Sequence, residues 1–150
     1  MGQSLTRSYH HIIFSTRGRA QMIKPHFRQR LYDYIGGIAK NLDGHLLAAG
    51  GTNDHVHLLI TIHPKTALAD MVRAVKANSS RWIHETFPVH AGFAWQSGYA
   101  AFSVSHSDLE RVRDYIARQD DHHRTTSFEE EFVAFLQRHE LEYDPKYLWS

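Results

Sequence analysis

Two histidines one residue apart, His55 and His57, open the aliphatic run His55-Val56-His57-Leu58-Leu59-Ile60. A run of this kind reads as a β-strand, and in a strand the side chains at i and i+2 share a face. The two imidazoles would then project side by side, while Val56, Leu58, Ile60 and Ile62 point to a core. Imidazoles held on rigid backbone are the beginning of a metal site, but two ligands are one too few. Some sixty residues later Tyr115 and Gln119 stand four apart, the spacing that places two side chains on one helical face. A glutamine carbonyl oxygen suits a hard divalent ion such as Mg2+ or Mn2+. A tyrosine hydroxyl one turn before it would stand beside a metal-bound phosphate, where tyrosine can act as a covalent nucleophile. Each signal alone has an ordinary explanation. The chain carries 13 histidines in 150 residues, so short His-x-His spacings arise by chance. A helical tyrosine is most often a half-buried core residue.

The elements that must position these groups follow from hydrophobic periodicity and turn residues. Tyr9–Thr16 reads as a first strand and Arg17-Gly18-Arg19 as a basic turn. A helix is expected from Pro25 to about Leu42, with Phe27, Leu31, Tyr34, Ile35 and Ile38 on its apolar face. A hairpin follows: strand His45–Gly51, a tight link Thr52–Asp54, and strand His55–Ile62. Thr66 is the expected N-cap of a second helix running to about Phe87. Pro88–Gly98 is loop-like, and Ala100–Ser105 reads as a further strand. Ser107 and Asp108 would cap a third helix, Leu109 to Asp121, with Leu109, Val112 and Ile116 buried and Asp120–Arg124 ending it. Ser127 would cap a fourth, whose acidic first turn, Glu129-Glu130-Glu131, suits the helix dipole. The C-terminal aromatics Tyr143, Tyr147 and Trp149 are expected to dock. The order β-α-β-β-α-β-α-α implies an α+β fold: a ferredoxin-like (RRM-like) antiparallel sheet of four or five strands, helices on one face, and the tyrosine helix added at the C-terminal end.

Composition narrows the partners. The length suits one domain, spanning residues 1–150. The absence of cysteine excludes disulfides and thiolate zinc sites and suits a cytoplasmic protein. No apolar run is long enough to span a membrane, and Met1–Arg7 lacks a secretory apolar segment. The net charge of +1 hides an asymmetry: residues 1–90 carry 11 Lys/Arg against 5 Asp/Glu, and residues 91–150 carry 6 against 11. A basic first half points to a polyanion such as nucleic acid, or to no more than surface variation. Arg17, Arg19, Arg73, Lys76 and Arg81 are the candidate phosphate contacts, with a solvated surface as the alternative for each.

The two chemical motifs also carry a resemblance. His55-Val56-His57 followed by Leu-Leu-Ile resembles the histidine–hydrophobic–histidine motif of HUH nucleases, and Tyr115-Ile116-Ala117-Arg118-Gln119 resembles the tyrosine-x-x-x-glutamine helix of their single-tyrosine transposases, of the insertion-sequence 200/605 type. Tyr9–Arg17, Asn53-Asp54, Trp95–Tyr99 with Phe102–Ser105, and His122-His123 agree with the same family, in order along nearly the whole chain. The resemblance implies a homodimer that acts on single-stranded DNA bearing hairpins and uses no nucleotide cofactor. It implies metal-dependent phosphodiester transesterification, with Tyr115 as the nucleophile forming a 5′-phosphotyrosine, and His55, His57 and Gln119 holding Mg2+ or Mn2+. In that family the tyrosine helix can come from either subunit. A domesticated hairpin nickase, or a non-catalytic nucleic-acid-binding module on the same fold, are the competing expectations. A histidine-triad hydrolase fits less well, because a third alternating histidine would fall where Leu59 stands.

Overall fold

The computed structural model describes residues 2–123 and 126–150, so Arg124, placed above at the end of a helix, lies outside the described residues. Four strands form one antiparallel sheet: β1 (Tyr9–Ser15), β2 (His45–Gly51), β3 (His55–Thr61) and β4 (Ala100–Val104), in spatial order β2-β3-β1-β4. This is the ferredoxin-like order, and the strand count is the lower of the two expected.

Helices α1 (Pro25–Asn41) and α2 (Leu68–Thr86) cover one face. Proline at the first helical turn, where its missing N–H costs nothing, starts α1. The α2 start differs from expectation. Ala67 holds the cap position without a side-chain bond, while the Thr66 backbone N–H closes a turn on His63 O. Ile12 and Phe14 of β1 and Val56, Leu58 and Ile60 of β3 pack against Phe27, Leu31, Ile35, Met71 and Val75, all buried. Tyr34 and Trp82 stack across the helix pair at 5.1 Å.

The opposite face is covered by α3 (Leu109–Ala117), α4 (Gln119–His122) and α5 (Phe128–Arg138). The expected single helix to Asp121 is thus two, because Arg118 leaves helical geometry at φ −102°, ψ 23°. Of the expected stripe only Ile116 is fully buried; Leu109 and Val112 are half-buried. Ser127 caps α5 as expected, its hydroxyl accepting from the Glu130 N–H. Phe128, Phe132 and Leu136 of α5 pack with Ile13, Ala100 and Phe102, and Leu148 and Trp149 of the tail dock on them. Tyr143 and Tyr147 stay exposed. Among the described residues no helix is long and apolar enough to cross a membrane.

Gly50 sets how closely α3 approaches the sheet. A Cβ built there would stand 2.3 Å from Ile116 O and 2.9 Å from Ile116 Cγ2. Gly50→Ala will therefore push the end of α3 away from β2. We expect a loss of about 2 kcal/mol, since forced overpacking has no flexible side-chain end to move aside. Thermal unfolding checks this; an unchanged melting temperature would contradict the close approach.

Candidate active site

Because β3 is central, its alternation buries both faces. Val56 and Leu58 alternate toward α1 and α2, and His55 and His57 point the other way; both histidines are fully buried. The lid over them comes from α3, α4 and α5. Tyr115 sits in the last turn of α3 and Gln119 begins α4. The break at Arg118 does not separate them, because Gln119 Nε2 reaches back to Tyr115 O at 3.4 Å. The Tyr115 ring lies 5.7 Å from the His57 ring.

Gln119 Oε1 lies 3.1 Å from His55 Nε2. Gln119 Nε2 turns toward Glu131 Oε2 at 3.3 Å, which fixes the amide orientation. Glu131 was read from sequence only as part of an acidic first turn. It stands at the centre of the site, with Oε1 2.9 Å from His57 Nε2 and 3.8 Å from His55 Nε2. Its Oε2 accepts from the Tyr115 hydroxyl. A signal for it was present: Phe128, Phe132, Phe135 and Leu136 mark the apolar stripe of α5, and position 131 falls on that stripe. A carboxylate on a buried stripe must be paired or bind a cation. His123, noted in sequence only as part of a fitting tail, places Nε2 3.0 Å from Gln119 Oε1 and 3.3 Å from Glu131 Oε1.

Behind the ligating atoms stand groups that orient them. Asp54 Oδ1 accepts from His55 Nδ1–H at 2.8 Å, leaving the Nε2 lone pair directed inward. His11 Nε2 and His57 Nδ1 share one N–H at 2.8 Å. His11 was seen in sequence only as part of the first strand. Cross-strand pairing of Ile13 with His57 puts His11 diagonally beside it on the same face.

The donor set suits a divalent ion. With Asp54 holding the proton on Nδ1, His55 presents a lone pair at Nε2 to two oxygen acceptors, Gln119 Oε1 and Glu131 Oε1. A cation between them resolves that acceptor-to-acceptor contact. His55, His57 and Glu131 offer ligand atoms within 4.8 Å of one another, all buried. Bonds of about 2.1 Å to a Mg2+-sized ion require such separations. A second group, His122, His123 and Glu131, shares the same carboxylate.

The electrostatics follow the burial. Desolvation lowers His57 to about 4 and His11 to about 3, so both rings are neutral at pH 7. Burial alone would raise Glu131, but hydrogen bonds from His123, His57 and Tyr115 hold it well below the usual carboxylate range. Burial and the Glu131 carboxylate push the Tyr115 hydroxyl up, so it keeps its proton without a metal. His123 moves the other way from His57: burial lowers it, but Glu131 outweighs that and raises it.

These shifts make stability depend on pH. His57 and His11 bind fewer protons folded than unfolded, so stability present above pH 6.5 is lost as the pH falls toward 4 and 3. Glu131, with a depressed value, adds loss in the same direction on further acidification. His123 opposes this, losing its contribution as the pH rises above its ordinary range. Two deeply buried rings outweigh one half-buried ring. In the presence of a chelator the melting temperature will therefore fall steadily between pH 7 and pH 4; a flat profile would contradict the buried neutral pair.

The five candidate phosphate contacts do not form one surface. Arg17, Arg73 and Lys76 line a groove with Trp95 and Tyr99. Lys76 is committed to the loop beside it: Nζ donates to the carbonyls of Gln96, Ser97 and Gly98, and burial lowers it to about 8. Arg19 pairs with Glu129 at 3.0 Å and lies over Trp149. Arg81 is exposed and bonds Asn78 within its own helix.

The family model described as IS200-like transposase matches residues 4–119. The chain belongs to the IS200-like transposase family. It is 27% identical over 117 residues to the ISDra2 transposase TnpA of Deinococcus radiodurans, covering 75% of this chain and 84% of that protein. To the transposase of insertion sequence element IS200 of Salmonella typhimurium it is 24% identical over 115 residues, 73% of this chain and 75% of that one. Among solved structures, a transposase candidate from Deinococcus radiodurans R1 superposes with a TM-score of 0.63 at 27% identity, over 79% of this chain and 96% of that chain. A REP-associated tyrosine transposase, solved bound to a REP hairpin, superposes with a TM-score of 0.60 at 15% identity, over 82% and 73% of the two chains, a likeness of fold. The family match ends at Gln119, the first residue of α4. Glu131 and His123 therefore reach the site of this transposase from a segment beyond the matched region.

Proposed function

We propose that this transposase cleaves and rejoins single-stranded DNA through a covalent bond between Tyr115 and a 5′-phosphate. The observation that carries the proposal is the meeting, within one chain, of the Tyr115 hydroxyl, the buried His55–His57 pair and Gln119 around one point. Residues 1–150 act as one domain in this proposal, because α5 supplies Glu131 to the site.

His55 Nε2, His57 Nε2 and Gln119 Oε1 would hold Mg2+ or Mn2+, with Glu131 as an added carboxylate. The ion when bound would polarise the scissile phosphate and offset the charge that develops on it. Tyr115 Oη attacks phosphorus, the bond to the 3′-oxygen breaks, and the strand ends as a 5′-phosphotyrosine and a free 3′-hydroxyl. The tyrosine proton passes to Glu131 Oε2, the acceptor it already contacts, and the leaving 3′-oxygen takes up one proton from Glu131 or solvent, so the step is proton-neutral. Attack of a 3′-hydroxyl on the phosphotyrosine reverses these steps and joins strands. One phosphodiester is exchanged for another, so no nucleotide cofactor is needed. Asp54 and His11 hold the imidazoles in place throughout.

Hairpin-bearing ends of an insertion sequence are the proposed DNA partner. A cytoplasmic homodimer would bring two such ends together, the tyrosine helix of either subunit completing each site. The test is incubation with hairpin-bearing single-stranded DNA and Mg2+ or Mn2+, followed by a denaturing gel. A shifted protein–DNA band that disappears with a chelator is expected; binding without any adduct or cleavage would instead favour the non-catalytic module.

A further inference from the structure

Beside the Tyr115 hydroxyl lies a cavity of about 370 Å³ that the metal ligands leave open. Phe102 of β4, Val112 of α3, and Phe135 with His139 at the end of α5 wall it, and Tyr115 and Glu131 close its inner end. Three of these rings are nearly parallel. Phe102 and Phe135 stack at 5.5 Å and 21°, Phe102 and His139 at 4.1 Å and 28°, and Phe135 and His139 lie 21° apart in plane. His139 is exposed and Phe135 half-buried, so the ring series opens to solvent. Arg138, over the Phe135 ring, also lines this cavity, as does Arg111, which pairs with Asp108 at 3.2 Å on the exposed rim and continues with Arg118 and Tyr115 around an adjoining hollow.

An apolar slot with parallel rings, guanidinium groups and a nucleophile at its inner end suits a flat heteroaromatic ring joined to phosphate. Bases stack on aromatic side chains whatever their sequence, and guanidinium groups take the flanking phosphates. The volume lies in the range of small-molecule pockets. We propose that this cavity is a base-binding subsite, holding one unpaired DNA base next to the scissile phosphate and so selecting which phosphate meets Tyr115. This rests on the single-strand cleavage proposed above.

The test measures binding without cleavage. Labelled strands of about twelve nucleotides, oligothymidylate, oligodeoxyadenylate and an abasic strand of equal charge, are titrated in a chelator and read by fluorescence anisotropy. The unaltered protein is expected to bind at least one base-bearing strand about tenfold tighter than the abasic strand. Val112→Trp, which fills the slot, and His139→Ala, which removes its exposed outer ring, should each shrink that gap severalfold and leave abasic binding unchanged. Circular dichroism confirms that each variant folds, and His139→Ala, altering an exposed position, serves if Val112→Trp does not. A gap untouched by both variants, or an equal loss on all strands, would overturn the subsite while leaving covalent cleavage standing. Failure to bind any strand would likewise overturn the subsite, while covalent cleavage is read separately on hairpin-bearing DNA with Mg2+ or Mn2+.

Discussion

Tyr115→Phe is expected to fold, to bind single-stranded DNA and to form no covalent adduct with it. The ring contacts survive the change: the Tyr115 ring lies 5.7 Å from both His57 and Phe135 and 6.2 Å from His11. Only the hydroxyl bond to Glu131 goes, and that carboxylate keeps His57, His123 and Gln119 as neighbours. Stability should change by no more than about 1 kcal/mol. Cleavage should fall by a factor of about 10³ or more, as when a covalent nucleophile is removed while its surroundings persist. Gel analysis with mass mapping of the adducted peptide reads both outcomes. An adduct that persists in Tyr115→Phe would remove the nucleophile assignment.

The double variant His55→Ala, His57→Ala should lose both metal binding and cleavage. Two of the proposed ligand atoms vanish, and neither Gln119 nor Glu131 can replace an imidazole from its own backbone position. Titration calorimetry with Mn2+ should show no binding at the site, and cleavage should fall to the level of the chelator-treated protein. A second effect accompanies the first. Glu131 is 3% exposed and loses its 2.9 Å partner His57, leaving a buried carboxylate with fewer donors. Its protonation should shift up toward ordinary carboxylate values, and the protein should lose about 1–3 kcal/mol of stability. Full cleavage by a folded double variant would exclude the metal site, whereas lost cleavage with unaltered Mn2+ binding would place the ion elsewhere.

Much of this architecture was legible before the fold. The alternation of His55, His57 and the aliphatic residues between them set the faces of β3, because a strand has a period of two whatever packs on it. The β2–β3 hairpin, Pro25 opening α1 and Ser127 capping α5 were readable because turn and cap chemistry act within a few residues. The Tyr115–Gln119 spacing survived the break at Arg118, since one turn of chain keeps the two side chains on one side. The cap at Thr66 missed by one residue: Thr66 closes a turn on His63 and the helix begins after Ala67.

What tertiary structure alone decided is which distant groups share the space above His55 and His57. Nothing local to Glu131, His123 or His11 says that they converge, because His11 lies on β1 more than a hundred residues before the other two, and His123 ends α4 while Glu131 lies within α5. Cross-strand register brings His11 to His57, and the docking of α5 on the exposed half of the sheet brings Glu131 to the same point. The strand pair was thus determined by sequence as two imidazoles on one face. That those imidazoles meet a carboxylate and a tyrosine was decided by packing: burying the aromatic stripe of α5 carries Glu131 inward, where the histidines, Gln119 and Tyr115 surround it.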